Sequence, residues 1–309
     1  MRAVFMGSAP LSCASLEVVL DLCDVVGVVA QPDRPRGRKL KVCHGAVKAL
    51  ALSRDVPVVT PEHINEAESV AVLAAWRPDV IVVVAYGQIL RQPLLDIPPL
   101  GCINVHTSLL PAYRGAAPIQ WAVANGDTET GVTTMFMDTG MDSGDIIYQD
   151  RVAIGSDETG AALHDRLALR GAALLRRTLT DLTEGVVPRR PQDVKTATTA
   201  RRLQRADGRI DWSQSAQRIH NRIRGFNPWP GSFCHAPNGR LLKVWQAELA
   251  PNPTEAHPGT VIGFTDGSPV VASSDGAVRL LEVQPEGAKV MGGAAYVRGH
   301  ALREGDLLE

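Results

Sequence analysis

Residues Gly101–Asp150 read GCINVHTSLLPAYRGAAPIQWAVANGDTETGVTTMFMDTGMDSGDIIYQD, and this stretch decides both the fold and the candidate chemistry. Its first segment, Cys102–His106, is typical of a buried strand that ends in polar side chains. Because side chains at i and i+2 share one face of a strand, Asn104 and His106 project together. An amide beside an imidazole can stabilise an oxyanion, and the imidazole can also move a proton. The side chains of an isolated Asn-x-His at a strand end can equally make only structural hydrogen bonds, so the pair alone leaves both interpretations open.

An acidic, glycine-rich loop, Gly140–Asp145, follows in the same stretch. Its two glycines bracket Asp142 and predict a sharp turn that carries this carboxylate over the sheet toward His106. A carboxylate there would orient the imidazole and favour its protonated form. Asp138 and Asp145 leave a metal-binding loop as the alternative, but the spacing differs from that of a calcium loop and no second His or Cys lies nearby. We therefore predict that Asn104, His106 and Asp142 are catalytic, and we predict no metal site.

Length and composition limit the class of protein. A chain of 309 residues exceeds the size at which one core usually stops growing, about 250–300 residues, which predicts two domains. A net charge of −1 predicts neither a nucleic-acid binder nor a membrane-surface protein from charge alone. The five cysteines are scattered without a CxxC pair, which argues against a disulfide framework and a zinc site. With no signal-like segment and no apolar run near the ~20 residues of a membrane helix, we expect a cytoplasmic protein without a membrane partner.

The fold class follows from alternating strands and helices in the first half of the chain. Buried strands are predicted at Ala3–Met6, Val25–Ala30, Asp79–Val84 and Cys102–His106. Strands that are apolar on both faces and alternate with helices indicate an α/β fold with a doubly wound, mostly parallel sheet. The turn after the first strand lacks the second glycine of GxGxxG, which argues against a bound dinucleotide. One of the connecting helices is predicted to begin at Thr60 and Pro61.

The second half of the chain has a different pattern. A helix is predicted to begin at Asp211, and after it short strand candidates alternate with turn residues. These strand candidates are Ser232–Cys234, Leu241–Ala247, Thr260–Phe264, Val270–Ala272 and Ala277–Val283. They predict a C-terminal OB-like β-barrel. The predicted domains are residues 1–188 for catalysis, 189–206 for a basic linker, and 207–309 for the barrel.

Two segments are strongly basic although the whole chain is not. Residues 31–41, QPDRPRGRKLK, hold five positive side chains and leave the carboxyl end of a predicted parallel strand. Residues 186–224 contain ten Lys and Arg against three Asp, a local excess of seven positive charges. A solvated loop explains the first segment simply, and an anionic ligand such as a phosphate backbone is the alternative.

Longer motifs then make a resemblance specific. The chain has no GxSxG, HExxH or P-loop sequence, which removes most hydrolase and NTPase interpretations. INVHTSLLPAYRGAAPIQWA and NGDTETGVTTMFMDTGMDSGDI resemble the core of the folate-dependent formyltransferase family. The opening MRAVFMGS, then VAQPDRPRGRKL, AYGQIL and IDWSQSAQRIHNRIRGFNPWPGSF, extend the resemblance nearly end to end toward the branch that acts on methionyl-tRNA.

The resemblance implies a donor, an acceptor and residue roles. The donor would be 10-formyltetrahydrofolate and the acceptor the α-amine of initiator methionyl-tRNA, giving N-formylmethionyl-tRNA for translation initiation. The catalytic residues would be Asn104, His106 and Asp142. The folate would contact Ser108, Leu109, Leu110 and Pro111, with its pterin against Tyr86, Gly87, Ile89 and Leu90 and against the loop of residues 138–142. The tRNA would contact Arg34, Arg36, Arg38 and Lys39 in the basic loop, with Arg38 at the first base pair, and Arg201 and Arg202 in the linker. We expect a monomer.

Two competing hypotheses remain at the level of sequence. An N-formyltransferase acting on an amino sugar nucleotide would share the same three catalytic residues, although such a small acceptor needs neither basic segment. A non-catalytic RNA-binding protein on the same scaffold is the second alternative, against which the intact catalytic set argues. Thr107 departs from the family, in which glycine is usual between the histidine and the following serine.

Overall fold

The computed structural model describes residues 1–36, 41–42, 44–252, 255–300 and 302–309. These residues form two compact units, and each is described by itself. The first unit consists of Met1–Pro118, Thr130–Ala153 and His164–Ala200. The second consists of Ile119–Glu129, Ile154–Leu163 and Arg201–Glu309. The domain boundaries derived from composition stay a prediction.

The first unit is organised around a seven-stranded sheet, which confirms the predicted fold class. Its strands are β1 Arg2–Gly7, β2 Asp24–Val29, β5 Val58–Val59, β6 Val80–Val84, β7 Cys102–His106, β9 Glu129–Phe136 and β10 Ile146–Ala153, in the order β10-β9-β7-β6-β1-β2-β5. The short strands β3 Pro35–Arg36 and β4 Lys41–Val42 pair as a hairpin, and β8 Arg114–Gly115 pairs with β11 Thr199–Ala200. The helices of this unit are α1 Ser12–Leu22, α2 Ala46–Leu52, α3 Ala67–Ala75, α4 Gln92–Leu95 and most of α6 Gly160–Thr183; α5 Pro118–Asn125, except for Pro118, is assigned to the second unit.

The sheet is parallel from β5 to β7 and turns antiparallel where β9 pairs with β7. Alternate residues of the central strands belong to two hydrophobic clusters: Phe5 and Val82 lie in one, whereas Met6 and Ile81 lie in the other. This division places one apolar layer on each face, the arrangement that continuous apolar strands require. The sheet therefore presents the carboxyl ends of β1, β2, β6 and β7 side by side.

The predicted helix start at Thr60 is wrong, because α3 begins at Ala67. The side chain of Gln88 holds the intervening segment in another conformation. Its Oε1 accepts from the Ile64 backbone N–H at 2.9 Å, and its Nε2 donates to the carbonyls of Pro61 and Glu62 at 3.4 and 3.2 Å. These tertiary hydrogen bonds outweigh a local capping signal worth about 1 kcal/mol.

The second unit contains an antiparallel sheet, as predicted from short strand candidates that alternate with turn residues. Its strands are β12 Ser232–His235, β13 Leu241–Ala250, β14 Val261–Thr265, β15 Ser268–Ala272, β16 Ala277–Pro285 and β17 Met291–Gly292, and its further helices are α7 Ala216–Gly225 and α8 Gly293–His300. The predicted start of α7 at Asp211 is wrong. Asp211 instead accepts hydrogen bonds from Ser213 in a turn, and Ser215 caps the helix through the Arg218 N–H.

No helix in the described part of the chain is both long enough and apolar enough to cross a membrane.

Gly27 in β2 provides a test of the packing of the sheet against α3. A Cβ built there would lie 2.4 Å from the indole of Trp76, so Gly27→Ala forces the ring or the strand to move. We expect the free energy of unfolding to fall by about 1–3 kcal/mol, the usual cost of overpacking. Gly299→Ala is the control because a Cβ there meets no atom within 4 Å. Equal stability of the two variants in a urea titration would contradict this prediction.

Candidate active site

The three side chains predicted to be catalytic meet in the first unit. Asn104 Nδ2 donates to Asp142 Oδ1 at 3.3 Å, and His106 Nδ1 lies 3.7 Å from Asp142 Oδ2. Asn104 and His106 are buried on β7, with exposed fractions of 9% and 6%. Asp142 is therefore the common neighbour of the amide and the imidazole, although it is 38 positions away from Asn104 in the chain.

The loop that carries Asp142 is held in a conformation that few residues adopt. The chain leaves β9 opposite the start of β7, where the Met137 N–H donates to the Cys102 carbonyl, and then folds back toward Asn104. Asp142 has a φ of +50°, in the left-handed region that Asp and Asn enter more readily than other side chains. A Cβ at Gly144 would lie 2.0 Å from the Phe136 carbonyl oxygen, so this position requires glycine.

Asp138, one of the two carboxylates considered for a metal, has another role in this loop. Its Oδ1 accepts from the Ser143 hydroxyl at 2.8 Å and from the Gly140 N–H at 3.0 Å. Among the described residues, no group of three or more His, Cys, Asp and Glu side chains is arranged to hold a metal ion. Asp138 thus stabilises the turn that presents Asp142.

The second nitrogen of His106 fixes the tautomer of the ring. Nε2 lies 2.9 Å from the Tyr113 carbonyl oxygen, which can only accept a hydrogen bond. Nε2 therefore carries a hydrogen, and Nδ1, which faces Asp142, is the nitrogen that can take up and release a proton. Tyr113 itself has a φ of +59°, and its N–H donates to the Thr198 hydroxyl at 2.8 Å.

The backbone of Gly115 completes the environment of Asp142. The Gly115 N–H donates to Asp142 Oδ2 at 2.7 Å, the shortest of the hydrogen bonds to this carboxylate. Gly115 has a φ of +115°, and a Cβ would lie 2.8 Å from the Ala200 carbonyl oxygen. Sequence reasoning missed this group, although the dipeptide Arg114-Gly115 within the quoted stretch is a local signal for a special backbone conformation.

Gln192 is a second contribution that the sequence did not reveal. Its Nε2 donates to the carbonyls of Asp142 and Gly144 at 2.9 and 2.8 Å. Its Oε1 accepts from Nε and an Nη of Arg114, at 3.1 and 2.7 Å. This glutamine lies in the polar stretch interpreted as a linker, so no periodicity or motif marks it. Its contacts lock the Asp142 loop onto the segment that supplies Gly115.

The residues predicted to contact folate fall into buried and accessible groups. Ser108 and Leu110 are buried, and they shape the turn that contains a cis Leu110–Pro111 bond. Ser108 Oγ donates to the Ala112 carbonyl at 2.6 Å, and the Leu110 N–H donates to the Thr133 hydroxyl at 3.2 Å. Leu109 and Pro111 are half-buried. Of residues 108–111, only Leu109 and Pro111 keep a side-chain surface for a ligand.

The second predicted folate segment follows β6 and shows the same division. Tyr86 and Leu90 are buried in the core beneath it, whereas Ile89 is 60% exposed. Burial raises the pKa of the Tyr86 phenol well above its ordinary value. Gly87 has a φ of +90°, and a Cβ there would meet only the Gln31 amide nitrogen, at 4.0 Å. The main chain at Gly87 is therefore open to the close approach of a flat ring.

Cys102, on the same strand face as Asn104, is excluded as a nucleophile. It is 3% exposed, and burial, with the charge of Asp96, raises the pKa of its thiol to about 12. The thiolate needed for attack is therefore scarce near neutral pH.

Comparison with known proteins assigns the family. The model of the formyl transferase family matches residues 10–179, and that of the formyl transferase C-terminal domain matches residues 202–301. The methionyl-tRNA formyltransferase of Symbiobacterium thermophilum is 47% identical over 99% of this chain and 94% of its own, and that of Desulforamulus reducens is 44% identical over 100% and 98%. This chain belongs to the methionyl-tRNA formyltransferase family. The resemblance stated from the sequence motifs is confirmed.

The wider formyltransferase fold extends beyond this family. The crystal structure of WlaRD, a sugar 3N-formyl transferase studied with dTDP and 5-N-formyl-THF, superposes with a TM-score of 0.67 over 94% of this chain and 99% of its own. Its sequence identity is 19%, so this likeness shows a shared fold alone.

The basic residues expected to contact tRNA differ in their local partners. Arg34 is exposed and lies 3.5 Å from Glu62, and Arg36 is in β3; Arg38 and Lys39 lie outside the described residues. In the second unit, Arg201 pairs through both terminal nitrogens with Asp207 and stacks over the Trp121 ring at 4.9 Å. Its ion pair lowers the pKa of Asp207.

Gln192→Ala tests whether this residue holds the loop of Asp142. Loss of its hydrogen bonds to two loop carbonyls should let residues 140–145 open more often, so their amide deuterium exchange should rise about tenfold. Asp193→Ala is the matched control, because this neighbour accepts a hydrogen bond from the Lys195 N–H in its own turn. Unchanged exchange in the Gln192 variant would show that the loop is held by other contacts.

Proposed function

We propose that this protein transfers the formyl group of 10-formyltetrahydrofolate to the α-amine of initiator methionyl-tRNA, producing N-formylmethionyl-tRNA for translation initiation. The observation that carries the proposal is its end-to-end similarity to methionyl-tRNA formyltransferases, at 47% and 44% identity. The cluster of Asn104, His106 and Asp142 supplies groups suited to this chemistry. We further propose that the protein acts in the cytoplasm as a monomer, a state that light scattering would test.

Asn104 and His106 would stabilise the charge that develops during transfer. Attack of the amine on the formyl carbon places negative charge on the formyl oxygen. An asparagine amide carries two hydrogens, and Asn104 gives one to Asp142, which leaves the other for this oxygen. A fixed donor such as Asn104, which is 9% exposed, stabilises such charge far better than water does.

His106 would also move the proton. The attacking nitrogen must lose a proton, and the folate nitrogen that leaves must gain one. Because Nε2 is engaged by the Tyr113 carbonyl, the proton would pass through Nδ1, which faces Asp142. Asp142 would keep the imidazole ring in its orientation and stabilise the imidazolium while His106 carries the proton. The Gly115 N–H keeps the Asp142 carboxylate in place during this exchange.

The folate would lie between the two segments described above. Gly87 offers main chain that a flat pterin can approach, and the exposed side chain of Ile89 offers an apolar surface beside it. Leu109 and Pro111 would contact the ligand directly, whereas the buried Ser108, Leu110, Tyr86 and Leu90 would act by shaping the main chain. The folate serves as the formyl donor and leaves as tetrahydrofolate.

The proposal is tested by the choice of acceptor. Purified protein is supplied with 10-formyltetrahydrofolate and either initiator methionyl-tRNA, elongator methionyl-tRNA or a dTDP-linked amino sugar, and formylated product is measured. We expect rapid transfer to initiator methionyl-tRNA and none to the sugar. Transfer to the sugar alone would favour the amino sugar nucleotide hypothesis, and binding of tRNA without transfer to any acceptor would favour the non-catalytic one.

Removal of any member of the catalytic set should abolish most turnover. Asn104→Ala, His106→Ala and Asp142→Ala are each expected to lose about 100- to 1000-fold in kcat, the loss typical of one oxyanion donor or proton-transfer group. Folate binding, measured by calorimetry, should persist because Ser108–Pro111 and Tyr86–Leu90 are unchanged in all three variants. If one variant keeps a nearly normal kcat, the residue that it replaces has no part in the mechanism.

Arg201 and Arg202 should respond differently to substitution, although both were predicted to contact tRNA. Arg202 is exposed, so Arg202→Ala should weaken tRNA binding and reduce the slope of log affinity against log salt by about 1. Arg201 is the ion-pair partner of Asp207, so Arg201→Ala should lower the thermal unfolding midpoint. Fluorescence titrations at several salt concentrations and calorimetric melts separate the two effects. If both variants lower the salt slope equally and neither changes the thermal unfolding midpoint, the predicted difference between Arg201 and Arg202 is wrong.

A further inference from the structure

The Asp33 carboxylate lies at the base of the basic hairpin formed by β3 and β4. Its Oδ2 accepts from Lys48 Nζ at 2.6 Å and lies 2.8 Å from His44 Nδ1, while its Oδ1 accepts from the Gly45 N–H at 3.3 Å. Asp33 comes two residues before β3, and His44 and Gly45 follow β4. One side chain therefore joins the chain entering the hairpin to the chain leaving it.

The surroundings of Asp33 show that this junction is a built feature. The carboxylate is 14% exposed and Lys48 is 20% exposed, so the pair is shielded far more than a typical surface ion pair. Lys48 lies in the first turn of α2, where the helix dipole disfavours a cation, and Asp33 compensates that charge. Hydrogen bonds from Lys48 and His44 lower the pKa of Asp33 to about 2, so the carboxylate stays charged across the physiological pH range.

The charge balance leaves the hairpin itself positive. Residues 34–41 contain Arg34, Arg36, Arg38, Lys39 and Lys41 and no acidic side chain. Because Lys48 neutralises Asp33 within the junction, the carboxylate adds little repulsion toward a phosphate backbone. Its contacts instead join the segment before β3 to the start of α2.

We propose that Asp33 is a positioning residue for the tRNA acceptor: by joining the segment before β3 to the start of α2, it fixes the orientation in which the paired strands β3 and β4 meet the nucleic acid. This inference rests on the proposed function. Without the junction, the hairpin would have to be ordered on binding, and that ordering entropy would be subtracted from the affinity. Asn104, His106 and Asp142 would be unaffected, so the loss would fall on KM for tRNA and spare kcat.

The test compares a long acceptor with a short one. Wild type, Asp33→Asn and Asp33→Glu are assayed with intact methionyl-tRNA and with methionine esterified to a CCA trinucleotide, which is too short to reach a separate tRNA-binding element. We expect Asp33→Asn to raise KM for intact tRNA about tenfold or more with kcat within about twofold, and to leave kcat/KM for the trinucleotide unchanged. Asp33→Glu, which keeps the charge, should recover part of the loss.

Two further variants control for general damage. Asp21→Asn removes an exposed ion pair with Arg176 in the same unit and should change neither acceptor. Lys48→Met should raise KM for intact tRNA, and Asp33→Asn combined with Lys48→Met should be no worse than the poorer single variant, because both act on one junction. Normal KM for intact tRNA in Asp33→Asn, or an equal loss with the trinucleotide, would overturn the proposal.

A protease measurement separates failure of this inference from failure of the proposed function. Trypsin should cleave Asp33→Asn after Lys41, in β4, about tenfold faster than wild type, because cleavage follows the open population. If wild type transfers to neither acceptor, the proposed function fails, and the cleavage rates still decide whether Asp33 holds β3 and β4 in place. Equal cleavage in both proteins would overturn the junction itself.

Discussion

The hydrogen bonding of the Asp142 carboxylate is the constraint on which the active site depends. It accepts from the Gly115 main chain and the Asn104 amide, and it faces His106 at 3.7 Å. These contacts also offset the cost of a left-handed backbone at Asp142, which is of the order of 1 kcal/mol for a residue other than glycine. The carboxylate thus couples the conformation of its loop to the positions of the two groups on β7.

The support of that carboxylate comes from a part of the chain with no catalytic signature. Gln192 binds the loop carbonyls, Thr198 binds the Tyr113 N–H, and β11 pairs with β8. Composition marks this stretch as a basic linker, yet up to Ala200 it belongs to the unit that holds the site. Likewise, the count of positive charges does not show their partners: both Arg201 and Arg202 are exposed, but Arg201 forms an ion pair with Asp207.

Local signals predicted elements well where burial on both faces left few alternatives. The runs of β1, β6 and β7 were predicted because a strand covered on both sides must be apolar throughout. The prediction failed at Thr60 and Asp211, where residue types that often cap helices led to predicted helix starts, whereas tertiary or local hydrogen bonds hold the chain in other conformations. Helix starts depend on about 1 kcal/mol and are therefore easily displaced.

The sequence by itself determined the α/β class, the antiparallel second unit, the family and the pairing of Asn104 with His106. Each of these rests on periodicity, on the two-residue repeat of a strand or on long motifs, which are properties of adjacent residues. Only the tertiary structure decided that Gly115 and Gln192 hold Asp142, that Tyr113 fixes the His106 tautomer, and that Asp33 pairs with Lys48. Those hydrogen bonds join residues from different segments. Several of them use main-chain atoms, which every residue carries, so no side-chain pattern could predict them.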